Sequence, residues 1–239
     1  MSLSLLTLIL FLFGFGFSQT LYVAVASSMR PPVEELARLF EKENPGVSLK
    51  LSYSSSGNLY GQILGGAPYH VFLSASKVYA DKLHERGVAG KPVVVAYGKL
   101  VLFSLDRKPT GISDLLKYER IALANPRHAP YGKSAMEFLK RAGLLDSLRE
   151  RLIYGSNVAQ AFQFVMAGGA DTGIVSLSLA VAVGEGYYWV VPKELYTPIE
   201  HTVVLTEKGL ENPLAKKFLD YLTSKEAKSV FSRFGFGVP

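Results

Sequence analysis

Four short polar segments hold the side chains best suited to chemistry: Ser27-Ser28, Ser54-Ser55-Ser56-Gly57-Asn58, Pro130-Tyr131-Gly132 and Gly155-Ser156-Asn157-Val158. Each ends an apolar run that reads as a strand or opens one that reads as a helix. Hydroxyls beside the unpaired N–H groups of a helix start make a cradle for an anion. Taken singly, each segment also reads as an ordinary helix cap, since Ser and Asn are favoured caps anywhere. A cradle of neutral donors fits a fully deprotonated oxyanion, whose oxygens all accept. Phosphate near neutral pH keeps a proton, and such a cradle leaves that O–H unpaired at a cost of about 1–3 kcal/mol. That corresponds to roughly 5- to 150-fold discrimination. Sulfate is also a dianion, so charge alone does not reject it.

Catalytic arrangements do not emerge. Gly132-Lys133-Ser134 has the ending of a phosphate-binding P-loop, but the glycine that motif requires upstream falls at Arg127 or His128. No Gly-x-Ser-x-Gly elbow exists, and the absence of cysteine removes thiolate chemistry, disulfides and a lipid-bearing N-terminal Cys. The four histidines, His70, His84, His128 and His201, have no metal-ligand spacing. His84 reads as a surface residue of a helix, and His70 and His201 as structural residues flanking strands. His128 lies in a polar loop where it could line a cleft mouth. Asp114 and Asp171 lack a paired carboxylate for acid–base work. The chain therefore reads as a non-enzyme with no metal bound directly and no cofactor.

With 26 Lys+Arg against 20 Asp+Glu, the 239 residues carry a formal charge of +6. The basic residues are scattered, and aromatics do not interleave with them as in nucleic-acid modules, so a nucleic-acid partner is not expected. Leu3 to Phe17 is almost wholly apolar, and Gly16-Phe17-Ser18 at its end puts small residues where a signal peptidase needs them. Residues 1–18 are thus expected to be a signal peptide, and the protein to be periplasmic or extracytoplasmic. No Lys or Arg precedes the run, and a retained membrane anchor is the rival reading. At about 15 residues it falls short of the roughly 20 that span a bilayer.

The elements that must position the polar segments alternate. Strands are expected at 21–26, 47–53, 71–73, 121–124 and 173–175. Helices follow at about 33–40, 59–64, 77–85, 134–141, 157–167 and 177–183, with two more near the C-terminus. Strand–helix alternation gives a mostly parallel sheet covered by helices, which binds ligands beyond the carboxyl ends of its strands. Two lobes are expected, residues 20–91 plus 203–239 and residues 92–202, with crossings near 92–100 and 196–204. The terminal helices should return to the first lobe, because Phe218, Leu222, Val230 and Phe231 need a partner face. Tyr131 is expected to offer its N–H to an anion and to cover the cleft with its ring.

Several segments in this order resemble the periplasmic molybdate-binding proteins of ABC transporters, over nearly all the chain after residue 18. They are Val23-Ala24-Val25-Ala26-Ser27-Ser28-Met29, Tyr53-Ser54-Ser55-Ser56-Gly57-Asn58-Leu59, Gly66-Ala67-Pro68-Tyr69-His70-Val71-Phe72-Leu73-Ser74-Ala75, Asn125-Pro126-Arg127-His128-Ala129-Pro130-Tyr131-Gly132, Asn157-Val158-Ala159-Gln160-Ala161 and Arg233-Phe234-Gly235-Phe236. The resemblance implies a type II periplasmic-binding-protein fold: two α/β lobes with mixed sheets flanked by helices and a ligand cleft between them. It implies a monomer that captures molybdate or tungstate through the anion's oxygens and delivers it to an ABC transporter permease. By match, the oxyanion contacts fall on Ser28, Ser56 and the backbones of Tyr131 and Val158, with Ser27 a neighbouring candidate. Ser176 stands where one branch of the family supplies a tyrosine hydroxyl. The carboxylate of tungstate-specific relatives has no counterpart at the matched positions. The alternative is the same fold holding sulfate or another small anion or carboxylate.

Overall fold

A computed structural model describes residues 19–239 of the chain; the expected signal peptide lies outside them. The order is β1 (Gln19–Ala26), α1 (Arg30–Glu43), β2 (Val47–Ser54), α2 (Ser56–Leu64), β3 (Val71–Ser74), α3 (Lys77–Glu85), β4 (Val93–Gly98) and β5 (Leu100–Ser104). It continues with β6 (Ile121–Ala124), α4 (Pro130–Arg141), α5 (Leu145–Leu148), β7 (Leu152–Gly155), α6 (Val158–Met166), β8 (Thr172–Ser176), α7 (Leu177–Val183) and β9 (Tyr187–Val190). The last elements are β10 (Ile199–Leu205), α8 (Glu207–Leu210), α9 (Pro213–Leu222) and α10 (Lys225–Arg233).

Two five-stranded mixed sheets result, ordered β2-β1-β3-β10-β4 and β7-β6-β8-β5-β9. In each, three parallel strands are followed by one antiparallel strand that leads to the edge. The two halves share this plan without any repeat in the sequence, because a sheet asks only for apolar strands of about the right length. This is the expected two-lobed, type II arrangement. The parallel strands β1, β3, β6 and β8 read as nearly continuous apolar runs because helices cover both faces.

The chain leaves the first sheet after Gly98 and enters the second at Leu100, so Lys99 alone makes the first crossing. It returns through residues 191–198. The sheets therefore place 93–98 and 199–202 with the first half, not within 92–202, because β4 and β10 pair with each other and β10 pairs with β3. A second correction concerns α4, expected from about Ser134. It starts at Pro130, the first helical position, where the missing proline N–H costs nothing.

Each half has its own core. One contains Leu21, Val25, Leu36 and Phe40 together with Phe218, Leu222, Val230 and Phe231, so α9 and α10 cover the first sheet. Phe40 meets Phe218 edge-on at 4.9 Å between ring centroids. The other gathers Leu102, Phe103, Leu123, Phe138, Phe162 and Ile174 around the second sheet. Ala26 and Ala75, at the carboxyl ends of β1 and β3, belong to that second cluster. The halves therefore meet where the strands end.

Candidate functional site

Every polar segment singled out from the sequence follows a carboxyl strand end. Ser27 and Ser28 form a single turn between β1 and α1, and both are buried. Ser55 caps α2 by accepting from the Asn58 N–H at 3.4 Å, and the buried Ser56 is the first residue of that helix. Asn157 caps α6 by accepting from Ala159 and Gln160 at 3.0 and 3.1 Å, which makes Val158 its first residue. Tyr131 is second in α4. The first N–H groups of a helix have no partner within it. The caps satisfy groups one or two residues further on, which leaves the N–H groups of Ser56 and Val158 for another acceptor.

Packing brings these segments to one place. The 27–29 turn lies against α6 and α7 of the other half. Ser178 Oγ donates to the Ser28 carbonyl at 2.6 Å and lies 2.6 Å from Ser176 Oγ, which is 3.1 Å from the Tyr131 hydroxyl. From the β2 side, the Gly57 N–H donates to the His128 carbonyl at 2.9 Å, and Ser55 Oγ sits 2.9 Å from His128 Nδ1. A Cβ on Gly57 would fall 2.6 Å from that carbonyl oxygen, so only glycine admits so close an approach. Ser56 Oγ accepts from the Ala75 N–H at 2.8 Å, which leaves its own hydrogen free to donate.

The cluster is neutral. Among the described residues, no Lys or Arg is buried. The charge of +6 is carried outside. Arg30 pairs with Glu34 at 2.9 Å, Lys77 with Asp81 at 2.7 Å, and Arg233 with Glu35. Asp114 and Asp171 hold local structure. Asp114 accepts from the Thr110 N–H at 2.6 Å and pairs with Lys117, while Asp171 takes the Arg120 N–H at 2.9 Å and its guanidinium at 2.7 Å. A surface cavity of about 430 Å³ lined by Arg107, Arg120 and Asp171 sits at the amino ends of β6 and β8, away from the cluster.

The Tyr131 ring is fully buried, and its hydroxyl occupies the space a Cβ would take at Gly98, beside the first crossing. Burial pushes its phenol well above the usual range. His201, read as merely structural, lies in the cluster with Nε2 3.0 Å from Ser28 Oγ. In β10 every residue from His201 to Leu205 is buried, so the histidine takes a core position. His128 does reach the first half, as described. His70 Nδ1 accepts from the Tyr22 N–H at 3.0 Å, and His84 Nδ1 lies 3.1 Å from the Ala89 carbonyl, both local roles. Ser178 was not singled out, because a serine in the first turn of a helix reads as a cap neighbour.

A family described as bacterial extracellular solute-binding protein matches residues 21–237. The molybdate-binding protein ModA of Azotobacter vinelandii is 38% identical over 227 residues, covering 90% of this chain and 89% of the relative. ModA of Rhodobacter capsulatus is 37% identical over 220 residues, covering 89% and 86%. The solved A. vinelandii periplasmic molybdate-binding protein superposes with a TM-score of 0.85 at 34% identity, over 92% of this chain and 99% of that one. A sulfate-binding protein of Mycobacterium tuberculosis shares the fold, with a TM-score of 0.76 at 14% identity over 91% and 86%.

Proposed function

Because the chain belongs to the bacterial extracellular solute-binding proteins, in the family that includes the molybdate-binding proteins, we propose that it captures molybdate or tungstate and delivers it to an ABC transporter permease. Members of this family bind solute outside the cytoplasm and do not transform it. Residues 1–18 would carry export. The two sheets with their helices would act as two lobes that close on the anion.

The observation that carries this reading is a cluster of neutral donors following four strands, β1, β2, β6 and β7, with no buried cation among the described residues. In this reading the Ser28 and Ser56 hydroxyls and the N–H groups of Ser28, Ser56, Tyr131 and Val158 hold the oxygens. Ser27 lies beside them. Ser176, already engaged with Tyr131 and Ser178, supports the Tyr131 side. Such a set suits a tetrahedral dianion that carries no proton. The likeness to the two ModA proteins favours molybdate over other dianions.

Thermal unfolding with a panel of anions tests the proposal. A ligand that binds only the folded state stabilises it by about 2.7 kcal/mol at a hundred times its Kd. Molybdate and tungstate should raise the midpoint, while sulfate raises it less and phosphate little. A rise with sulfate or a small carboxylate and none with molybdate would assign the site to that ligand instead.

A further inference from the structure

We propose that His201 is a positioning residue of the oxyanion site, a neutral imidazole that sets the direction of the Ser28 hydroxyl hydrogen. The inference rests on the oxyanion-binding reading above and adds a residue to it.

Three features of the fold converge on His201. First, the pairing of β10 with β4 slips between His201 and Thr202, a bulge of the kind that re-aims a side chain. Second, the opposing strand ends in Gly98, whose missing Cβ would fall 2.7 Å from His201 Cε1. Third, the ring is held on its other sides by Phe236, edge-on at 5.0 Å, and by Tyr131 at 6.0 Å. Backbone, glycine and aromatic neighbours thus hold an imidazole with Nε2 3.0 Å from Ser28 Oγ. Its other nitrogen, Nδ1, lies 3.3 Å from the Ile199 carbonyl. Burial lowers the imidazole to about 3, opposed by that carbonyl, so the ring is neutral at physiological pH.

A neutral imidazole carries one N–H, and its place decides what Ser28 can do. With the proton on Nδ1, the Ile199 carbonyl accepts it. Nε2 must then accept from Ser28, which leaves that hydroxyl without a hydrogen for an anion. With the proton on Nε2, the imidazole donates to Ser28 Oγ, and the serine hydrogen is free to donate to an oxyanion oxygen. The exchange moves one proton between ring nitrogens and changes no net charge. A charge-assisted bond to a dianion outweighs a 3.3 Å contact between neutral groups. The loaded protein therefore holds the Nε2–H tautomer.

The test is a double-mutant cycle with nitrogen-15 spectroscopy of the histidines. Calorimetry first establishes which of molybdate, tungstate and sulfate the unmodified chain holds. That result decides the binding reading alone, and a chain that holds none overturns both. With the bound anion, His201→Phe should lose about tenfold or more in affinity, and His201→Gln, whose amide N–H can replace Nε2–H, should recover part. In a Ser28→Ala background, His201→Phe should cost no more, because it acts through Ser28. A structural role lowers the melting temperature of His201→Phe and adds to Ser28→Ala independently. Unchanged binding in His201→Phe or an additive cycle overturns the inference. The spectra need no folded Phe variant. In the loaded unmodified chain, the signal missing from His201→Gln should report Nε2–H, and a loaded Nδ1–H tautomer overturns it equally.

Discussion

A serine hydroxyl has one hydrogen to give, so its value to an anion depends on what else claims it. Ser56 is well placed, because its oxygen already accepts from the Ala75 N–H and its hydrogen is uncommitted. Ser56→Ala should therefore do two things. It should weaken oxyanion binding by about 1–3 kcal/mol, and it should lower the stability of the unliganded protein by a similar amount, since the buried Ala75 N–H loses its partner. Calorimetry and denaturant unfolding read the two effects separately. His201 gives a prediction about acid. Its folded value of about 3 lies below the ordinary 6.5. Between those values the unfolded chain binds more protons, so its stabilising contribution is complete above pH 6.5 and is lost as the pH falls toward 3. At roughly 1.4 kcal/mol per pH unit, that is about 2 kcal/mol between pH 6.5 and 5. Unfolding at pH 7 and pH 5 should show a smaller drop for His201→Gln than for the unmodified chain; equal drops would remove His201 as the cause. The serine segments were legible in the sequence because hydroxyls after apolar runs stand out. His201 was not, because its partner is 173 residues away and only the closed packing joins them.

Helices and strands were largely legible because periodicity is local. The strands β1, β2, β6 and β8 and the helices α1, α3, α6 and α9 lie close to where their apolar spacing puts them. The start of α4 was misplaced, because Pro130 reads as a loop residue until its place at the first helical position is known. The register of β10 was not legible, since its bulge depends on β4 a hundred residues earlier. Tyr187 and Tyr188 are exposed because β9 is the edge strand of the second sheet. The contact between α2 and the loop before α4 carries its own prediction. Gly57→Ala would place a methyl group 2.6 Å from the His128 carbonyl and 2.9 Å from its Cα. Both are backbone atoms and cannot swing aside, so the two halves should be held apart there. Overpacking of this kind costs about 1–3 kcal/mol. Gly57→Ala should thus weaken molybdate by roughly tenfold or more while each half stays folded. Small-angle scattering of the saturated variant should show a larger radius than the saturated parent. Identical radii and affinities would mean that this contact has no part in closure.

At the scale of the molecule, two sheets of the same plan face each other across strand ends and are joined by β4–β5 and by the segment between β9 and β10. One joint is the single residue Lys99. Tyr131 and His201 pack beside it at Gly98, so any rotation of the halves changes the surroundings of the site directly. A hinge here would couple closure to binding, and scattering on the unmodified chain should show compaction when molybdate is added. Charge is distributed to match a neutral cradle. The excess of Lys and Arg lies on the surface, where it aids the approach of an anion, and none of it is buried among the described residues. Salt should therefore slow association more than it changes discrimination between dianions. If uncharged donors hold a proton-free tetrahedral dianion, calorimetric titration at neutral pH should show one equivalent of molybdate bound with much higher affinity than phosphate, and with sulfate between them or absent. Phosphate bound as tightly as molybdate, or no molybdate bound at all, would contradict it.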